Sequence, residues 1–222
     1  MTNLVPHFGK TACVLDTCSI INLDEIELAG RDVLYYMRRS FDIHVCDAIL
    51  DELDRHKQRL HSKESSYWPR FLSNQKKAAL VLNDDRTALG PFYSAAPSCF
   101  GSDDAGERGN TRLALELLIT RQFGQIVFVT DDDRARNAFL ANVVRSFPGL
   151  HLWSSADVVL YLGSFLLKEQ KTTFDSIRAA LRDLNAASAK TWEQIGDAEK
   201  SAIIKRYKDS VANLERLRAS AN

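Results

Sequence analysis

The sequence lacks the features that mark membrane and disulfide-rich secreted proteins. Its first residues, MTNLVPHFGK, contain no apolar segment with a small-residue cleavage site, and later apolar runs are far shorter than the roughly 20 residues of a membrane span. Only four cysteines occur, and none of them forms a CxxC pair. Reduced thiols explain this pattern better than disulfides or a zinc site. We therefore predict a cytoplasmic protein that does not contact a membrane.

The sequence also lacks an excess of one charge, because 29 Lys and Arg residues balance 29 Asp and Glu residues. No overall basic field therefore indicates a nucleic-acid partner. A local patch stays possible in RHKQRLHSK, residues 55–63, although such a run is usually a solvated helix face. With 45% apolar residues, the chain can bury a sizeable core.

Apolar β-type segments alternate with helical ones along the chain. The predicted strands are TACVLD (11–16), DIHVC (42–46), QIVFVT (125–130) and LHLW (150–153). The predicted helices are SIINLDEIELAGRDVLYYMRRSF (19–41, broken around Gly30), AILDELDRHKQRL (48–60), NTRLALELLITRQF (110–123), RARNAFLANVVRSF (134–147) and SADVVLYLGSFLL (155–167). This order predicts an α/β fold with a central parallel sheet covered on both faces.

The pattern also predicts how the chain is divided. The alternating core covers about residues 8–162 and includes a less regular excursion at 64–101, rich in Pro and Ser. Residues 163–222 contain no strand signal and show apolar positions at helical spacing. We expect a helical C-terminal extension that covers the core, binds a partner or pairs with a second copy.

Acidic residues follow the predicted strands. Asp16 lies just beyond the first strand, Asp131 and Asp132 lie just beyond QIVFV, and Glu52 lies early in the helix after DIHVC. Because the carboxyl ends of parallel strands share one edge of a sheet, these carboxylates can converge in one cleft. Crowded carboxylates repel one another unless a cation neutralises them, and oxygen ligands favour Mg²⁺ or Mn²⁺.

Such a site indicates hydrolysis of a nucleic-acid backbone, because divalent ions activate water and neutralise the departing oxygen of a phosphodiester. Hydroxyl and basic side chains near the acidic segments are candidate contacts to the ion or the polymer. They are Thr17, Ser19, Arg55, Lys57, Arg108, Arg112, Thr130, Arg134 and Arg136. Thr130 is also placed to orient the acidic turn.

Four segments together resemble the PIN-domain ribonucleases over about residues 11–162. They are VLDTCSIINL, DAILDEL, GERGNTRLALELL and IVFVTDDDRAR, in that order. The resemblance implies a three-layer α/β/α fold and a metal-dependent endonuclease that acts on RNA, with DNA as a further possible substrate. It assigns the catalytic role to Asp16, Glu52, Glu107, Asp131 and Asp132, and metal binding to the same acids with Asp104.

The third segment departs from the family pattern. Many members have a second acid one turn into this helix, where the present chain has Gly109 and Asn110. Asp103 or Asp104 could supply the charge from the preceding loop, although both residues also suit helix caps. The family includes toxins neutralised by antitoxins, RNA-processing enzymes and defence nucleases, so an antitoxin-like protein partner is also implied.

Two other classes of function compete with a nuclease. In a haloacid-dehalogenase-like phosphatase, Asp16 would be a covalent nucleophile, but the second aspartate expected two positions on is replaced by Cys18. A non-catalytic module could instead bind RNA or a protein through the basic run and the helical extension. Single residues also have ordinary explanations. Asp51 competes with Glu52, Asp133 suits a helix cap, and His56 and His61 suit a surface.

Overall fold

The computed structural model describes residues 11–24, 26–59, 105–119, 123–132, 136, 147–189 and 196–221. For residues 54, 56–59, 105, 189, 199, 220 and 221 only the backbone is described. The predicted excursion at 64–101 and most of the predicted helix at 134–147 lie outside these ranges. By internal contacts the chain forms two compact units, residues 1–20 with 38–152 and residues 21–37 with 153–222.

The first unit contains a four-stranded parallel sheet. Its strands are β1 (Thr11–Leu15), β4 (Asp42–His44), β5 (Gln125–Val129) and β6 (Leu150–Trp153), in the order β4-β1-β5-β6. Every residue of β1 is buried, as expected for a strand covered on both faces. Val14 pairs with His44 on one side and with Phe128 on the other. The predicted α/β fold with a parallel sheet flanked by helices is therefore confirmed.

Two helices continue from the carboxyl ends of strands in this sheet. Helix α1 (Thr17–Asp24) follows β1, and α3 (Asp47–Arg59) follows β4. Helix α4 (Ala105–Ile119) packs against β1, β5 and α3. It begins five residues before the predicted start, and Phe123 lies outside it. An acidic residue, Glu107, occupies the first turn, where it complements the helix dipole.

Residues 19–41 are not only helical. Between α1 and α2 (Val33–Ser40) lies an antiparallel hairpin of β2 (Glu27–Leu28) and β3 (Arg31–Asp32). The two residues of its turn, Ala29 and Gly30, have φ angles of 52° and 73°. A two-residue turn with both φ angles positive matches the twist of a hairpin, so the expected helical break is a β-hairpin.

The second unit contains three long helices, α5 (Ser155–Lys168), α6 (Phe174–Ala189) and α7 (Asp197–Ala221), which pack against one another. A capping box formed by Ser154 and Asp157 begins α5. Close packing of α5 on α6 requires Gly163, because a Cβ atom there would lie 2.8 Å from the Ile177 side chain. None of the described helices combines the length and the apolar composition needed to span a membrane.

Candidate acidic site

Asp16 lies where β1 ends and α1 begins. Its backbone N–H donates to the Val129 carbonyl at 3.2 Å, which extends the pairing of β1 with β5 by one residue. Its Oδ1 accepts a hydrogen bond of 2.6 Å from the Ser19 N–H. This contact is that of a helix N-cap, so the same carboxylate both caps α1 and lies at the carboxyl edge of the sheet.

Thr130 joins Asp16 to the acidic turn after β5. The buried Thr130 hydroxyl donates to Asp16 Oδ2 and accepts a bond of 3.1 Å from the Asp132 N–H. Arg136 closes the turn, because its Nη1 donates to the Thr130 carbonyl at 3.0 Å and its N–H donates to the Asp132 carbonyl at 3.0 Å. Thr130 therefore fixes the position of Asp16 relative to Asp132.

Glu52 is brought to the site by the first turn of α1. The buried Thr17 hydroxyl donates to Glu52 Oε2 at 2.5 Å. Because Thr17 directly follows Asp16, this bond ties α3 to the end of β1. Two neighbouring strand ends and one helix thus each deliver an acid to the same edge of the sheet.

The charges of the same acids act on the thiol of Cys18. Burial by the surrounding protein raises the pKa of Cys18, although part of the residue is exposed. The carboxylates that raise this pKa further are those of Asp16, Asp131, Asp132 and Glu52. These charges are consistent with the four acids lying in the same part of the first unit as Cys18.

The Asp16 carboxyl lies in a setting that disfavours its negative charge. Burial raises its pKa to about 7, and the charge of Asp131 adds to the shift. Hydrogen bonds from Ser19 and Thr130 act in the opposite direction without cancelling the effect of burial. Near neutral pH, the site therefore favours binding of a proton or a cation.

The third predicted segment contributes differently from the other three. Glu107 lies partly exposed in the first turn of α4. Asn110 is fully buried, and its side chain bonds to the Leu15 carbonyl and to the Cys46 N–H. Gly109 lies against Cys46, since a Cβ atom there would be 2.6 Å from Cys46 Sγ. Neither position of this departure from the family pattern could hold an acid without displacing these contacts.

The other predicted site residues differ in burial, and several of them lie outside the described residues. Ser19 and Arg112 are buried, Arg108 is half-buried, and Arg55 is exposed with its Nε donating to the Asp51 carbonyl at 3.3 Å. The Lys57 side chain lies outside the described residues. So do the whole of Asp103, Asp104, Asp133 and Arg134. Cys18 was not predicted as a site residue, although it lies two residues after Asp16 in the first turn of a helix.

The donor chemistry of the site fits a hard divalent cation. Asp16, Glu52, Asp131 and Asp132 offer carboxylate oxygens, the ligands that Mg²⁺ and Mn²⁺ prefer. Each bonded oxygen keeps a second lone pair for a metal ion. Within the described ranges, however, no three His, Cys, Asp or Glu side chains form a group that could hold a metal ion as they are placed.

No family model, curated protein or solved structure matches this chain. Its function is therefore inferred from the residues of the acidic site.

Proposed function

We propose that this protein is a metal-dependent endoribonuclease with a PIN-like α/β/α fold. The observation that carries the proposal is the hydrogen-bond network at the carboxyl edge of the parallel sheet, in which Thr130 bonds Asp16 and the Asp132 N–H while Thr17 bonds Glu52. Carboxylates at one sheet edge repel one another without a cation, and acids in this position hold the ions of many phosphodiesterases.

The residues of the site have separable roles in this proposal. A Mg²⁺ or Mn²⁺ ion bound by Asp16, Glu52 and the Asp131–Asp132 turn would supply charge neutralisation and an activated water at the phosphodiester. Thr17 and Thr130 hold the carboxylates of Glu52 and Asp16 in fixed orientations. Arg136 places a guanidinium beside the acidic turn, where its remaining N–H groups can bind a phosphate oxygen.

A non-catalytic RNA- or protein-binding module is the second candidate. It is favoured by Asn110, a buried amide where the family pattern has an acid. The phosphatase alternative has less support, because it needs an acid where the Cys18 thiol lies. The two leading candidates differ in whether metal-dependent bond cleavage occurs.

The test is cleavage of labelled single-stranded RNA, structured RNA and single-stranded DNA in Mn²⁺, Mg²⁺ or EDTA. We expect cutting of RNA by the wild type with either metal, none in EDTA, and a loss of at least about 100-fold in Asp16→Asn and Glu52→Gln. Asp51→Asn is the matched control, because Asp51 is an exposed acid next to Glu52. RNA binding without cutting in any condition would favour the binding module.

The biological setting belongs to the same proposal. A cytoplasmic nuclease of this type could act as a toxin, in RNA processing or in defence. We propose the helices α5, α6 and α7 as the surface for an antitoxin or another protein partner. Copurification of a partner with the full chain, lost after substitutions on α7, would support this assignment.

A further inference from the structure

Asn110 makes two hydrogen bonds that connect separate elements of the first unit. Its Nδ2 donates to the Leu15 carbonyl at 2.8 Å, and its Oδ1 accepts from the Cys46 N–H at 3.3 Å. Leu15 directly precedes Asp16, and Cys46 directly precedes α3, the helix that carries Glu52. One fully buried carboxamide therefore connects the backbone just before Asp16 to the backbone just before the helix that carries Glu52.

These bonds are part of a closed set of connections between the end of β1 and helix α3. From Leu15 the connection runs through Asn110 to Cys46, and then along α3 to Glu52. It returns through the Thr17 hydroxyl, which bonds Glu52 and lies two residues after Leu15. Asn110 therefore sets the position at which α3 begins. Thr17 sets the position of the Glu52 carboxylate on that helix.

The two hydrogen bonds of Asn110 require a carboxamide. One end of the side chain must donate to a carbonyl and the other must accept from an N–H, and asparagine provides both. An ionised aspartate would accept at both ends and would repel the Leu15 carbonyl oxygen. Gly109 allows this close placement, because any Cβ at the preceding position would meet Cys46 Sγ.

We propose that Asn110 is a positioning residue that fixes Glu52 relative to Asp16. The inference rests on the proposed nuclease function. It also explains why the third segment has Asn110 where the family pattern has an acid. Where the family pattern has an acid in the site, this chain uses an amide behind the site. The residue acts through Glu52 and does not itself bind the metal ion or RNA.

The experiment is a double-mutant cycle of Asn110→Ala with Glu52→Gln on the full chain. The two readouts are the Mn²⁺ dissociation constant from calorimetry, and kcat and KM for cleavage of labelled RNA. We expect Asn110→Ala to weaken Mn²⁺ binding and lower kcat by about 10- to 100-fold, with KM for RNA little changed. In the Glu52→Gln background, the same substitution should change Mn²⁺ binding less than about 3-fold, because the residue it acts through is already gone.

Two further variants separate positioning from loss of stability. Asn110→Ser keeps a donor near the Leu15 carbonyl and serves if Asn110→Ala does not fold, while Asn110→Asp should be impaired despite its added carboxylate. Leu117→Ala removes a buried apolar side chain in the same helix and should lower the melting temperature while leaving kcat unchanged.

The outcomes distinguish the two levels of inference. A wild type that neither binds Mn²⁺ nor cleaves RNA overturns the nuclease and the positioning role together. An active wild type in which Asn110→Ala has the same effect with and without Glu52 overturns the positioning role alone. Higher activity in Asn110→Asp would show that this position contributes directly to the site, which also contradicts the proposal.

Discussion

The Thr130 hydroxyl donates a hydrogen bond to Asp16 Oδ2, which joins the ends of two adjacent strands, β1 and β5. The bond is shielded from solvent on the Thr130 side, because Thr130 is 1% exposed. Thr130 also accepts from the Asp132 N–H. A single buried hydroxyl thus orients acids from two strands, and this relationship can be tested directly.

Thr130→Val should lower RNA cleavage by about 10- to 100-fold, because it removes the donor that orients Asp16 while keeping the side-chain shape. Thr130→Ser should stay close to the wild type, since it keeps the hydroxyl. Steady-state cleavage rates in Mn²⁺ provide the measurement. Thr111→Val is the matched control, because Thr111 is equally buried and its Oγ1 has no hydrogen-bond partner within the described part of the chain. Equal losses in both valine variants would contradict the assignment.

Asp16→Asn should stabilise the metal-free protein at alkaline pH. Burial raises the pKa of Asp16 from 3.8 to about 7, so the folded protein holds this proton to higher pH than the unfolded chain. Stability contributed by the protonated form is therefore lost as the pH rises from about 4 to 7, by roughly 4 kcal/mol at most. Asparagine carries no charge and avoids this loss.

Thermal unfolding in EDTA between pH 4 and pH 8 measures the effect. The melting temperature of Asp16→Asn minus that of the wild type should increase as the pH rises. Asp51→Asn controls for removal of an exposed charge and should show no such gain. A constant difference between Asp16→Asn and the wild type across this pH range would contradict the raised pKa of Asp16.

Mn²⁺ should raise the melting temperature of the wild type at pH 8, because a cation that binds only the folded protein stabilises it by mass action. At 100 times the dissociation constant, this effect amounts to about 2.7 kcal/mol. Glu52→Gln and Asp16→Asn should show little of the shift, and EDTA should reverse it. Scanning calorimetry with Asp51→Asn as the control provides the measurement. An undiminished shift in both site variants would place the ion elsewhere.

Gly109→Ala should destabilise the fold by about 1–3 kcal/mol, although alanine is the better helix former. The new methyl group would lie 2.6 Å from Cys46 Sγ and 3.2 Å from Cys46 Cβ. Adding Cys46→Ala should restore part of the loss by removing the sulfur. Gly124→Ala is the control, because open space surrounds that position. Urea unfolding of the wild type and these three variants gives the free energies, and a stabilised Gly109→Ala would show that α4 does not pack this tightly on Cys46.

Local sequence patterns predicted the strands better than the hairpin. All of β1 is buried, as is β5 after its first residue, Gln125, and the apolar composition of the two runs alone indicates this. The hairpin was missed because β2 and β3 have two residues each, and because one of the two positive φ angles falls on Ala29, which does not favour it. Such short elements are determined by packing against other elements, and β2 packs against α6.

The acids of the site could be chosen from their positions after strands, but the groups that orient them could not. Thr130 lies 114 residues from Asp16 along the chain, and Asn110 lies 95 residues from Leu15. Contacts of that separation depend on strand order and helix packing, which local periodicity does not encode. The buried role of Asn110 follows from the register of α4 against β1, and not from its own sequence neighbourhood.

Cys18 gives the acidic site a built-in chemical reporter. Alkylating reagents attack the thiolate, and the pKa of the Cys18 thiol is raised by burial and further by the nearby carboxylates, although the residue is exposed to solvent. Iodoacetamide should therefore label Cys18 slowly in EDTA. A cation that neutralises the carboxylates should make labelling faster, unless it covers the sulfur and blocks it. Either change, located at Cys18 by mass spectrometry, would reveal occupancy of the cleft in unmodified protein without any substrate.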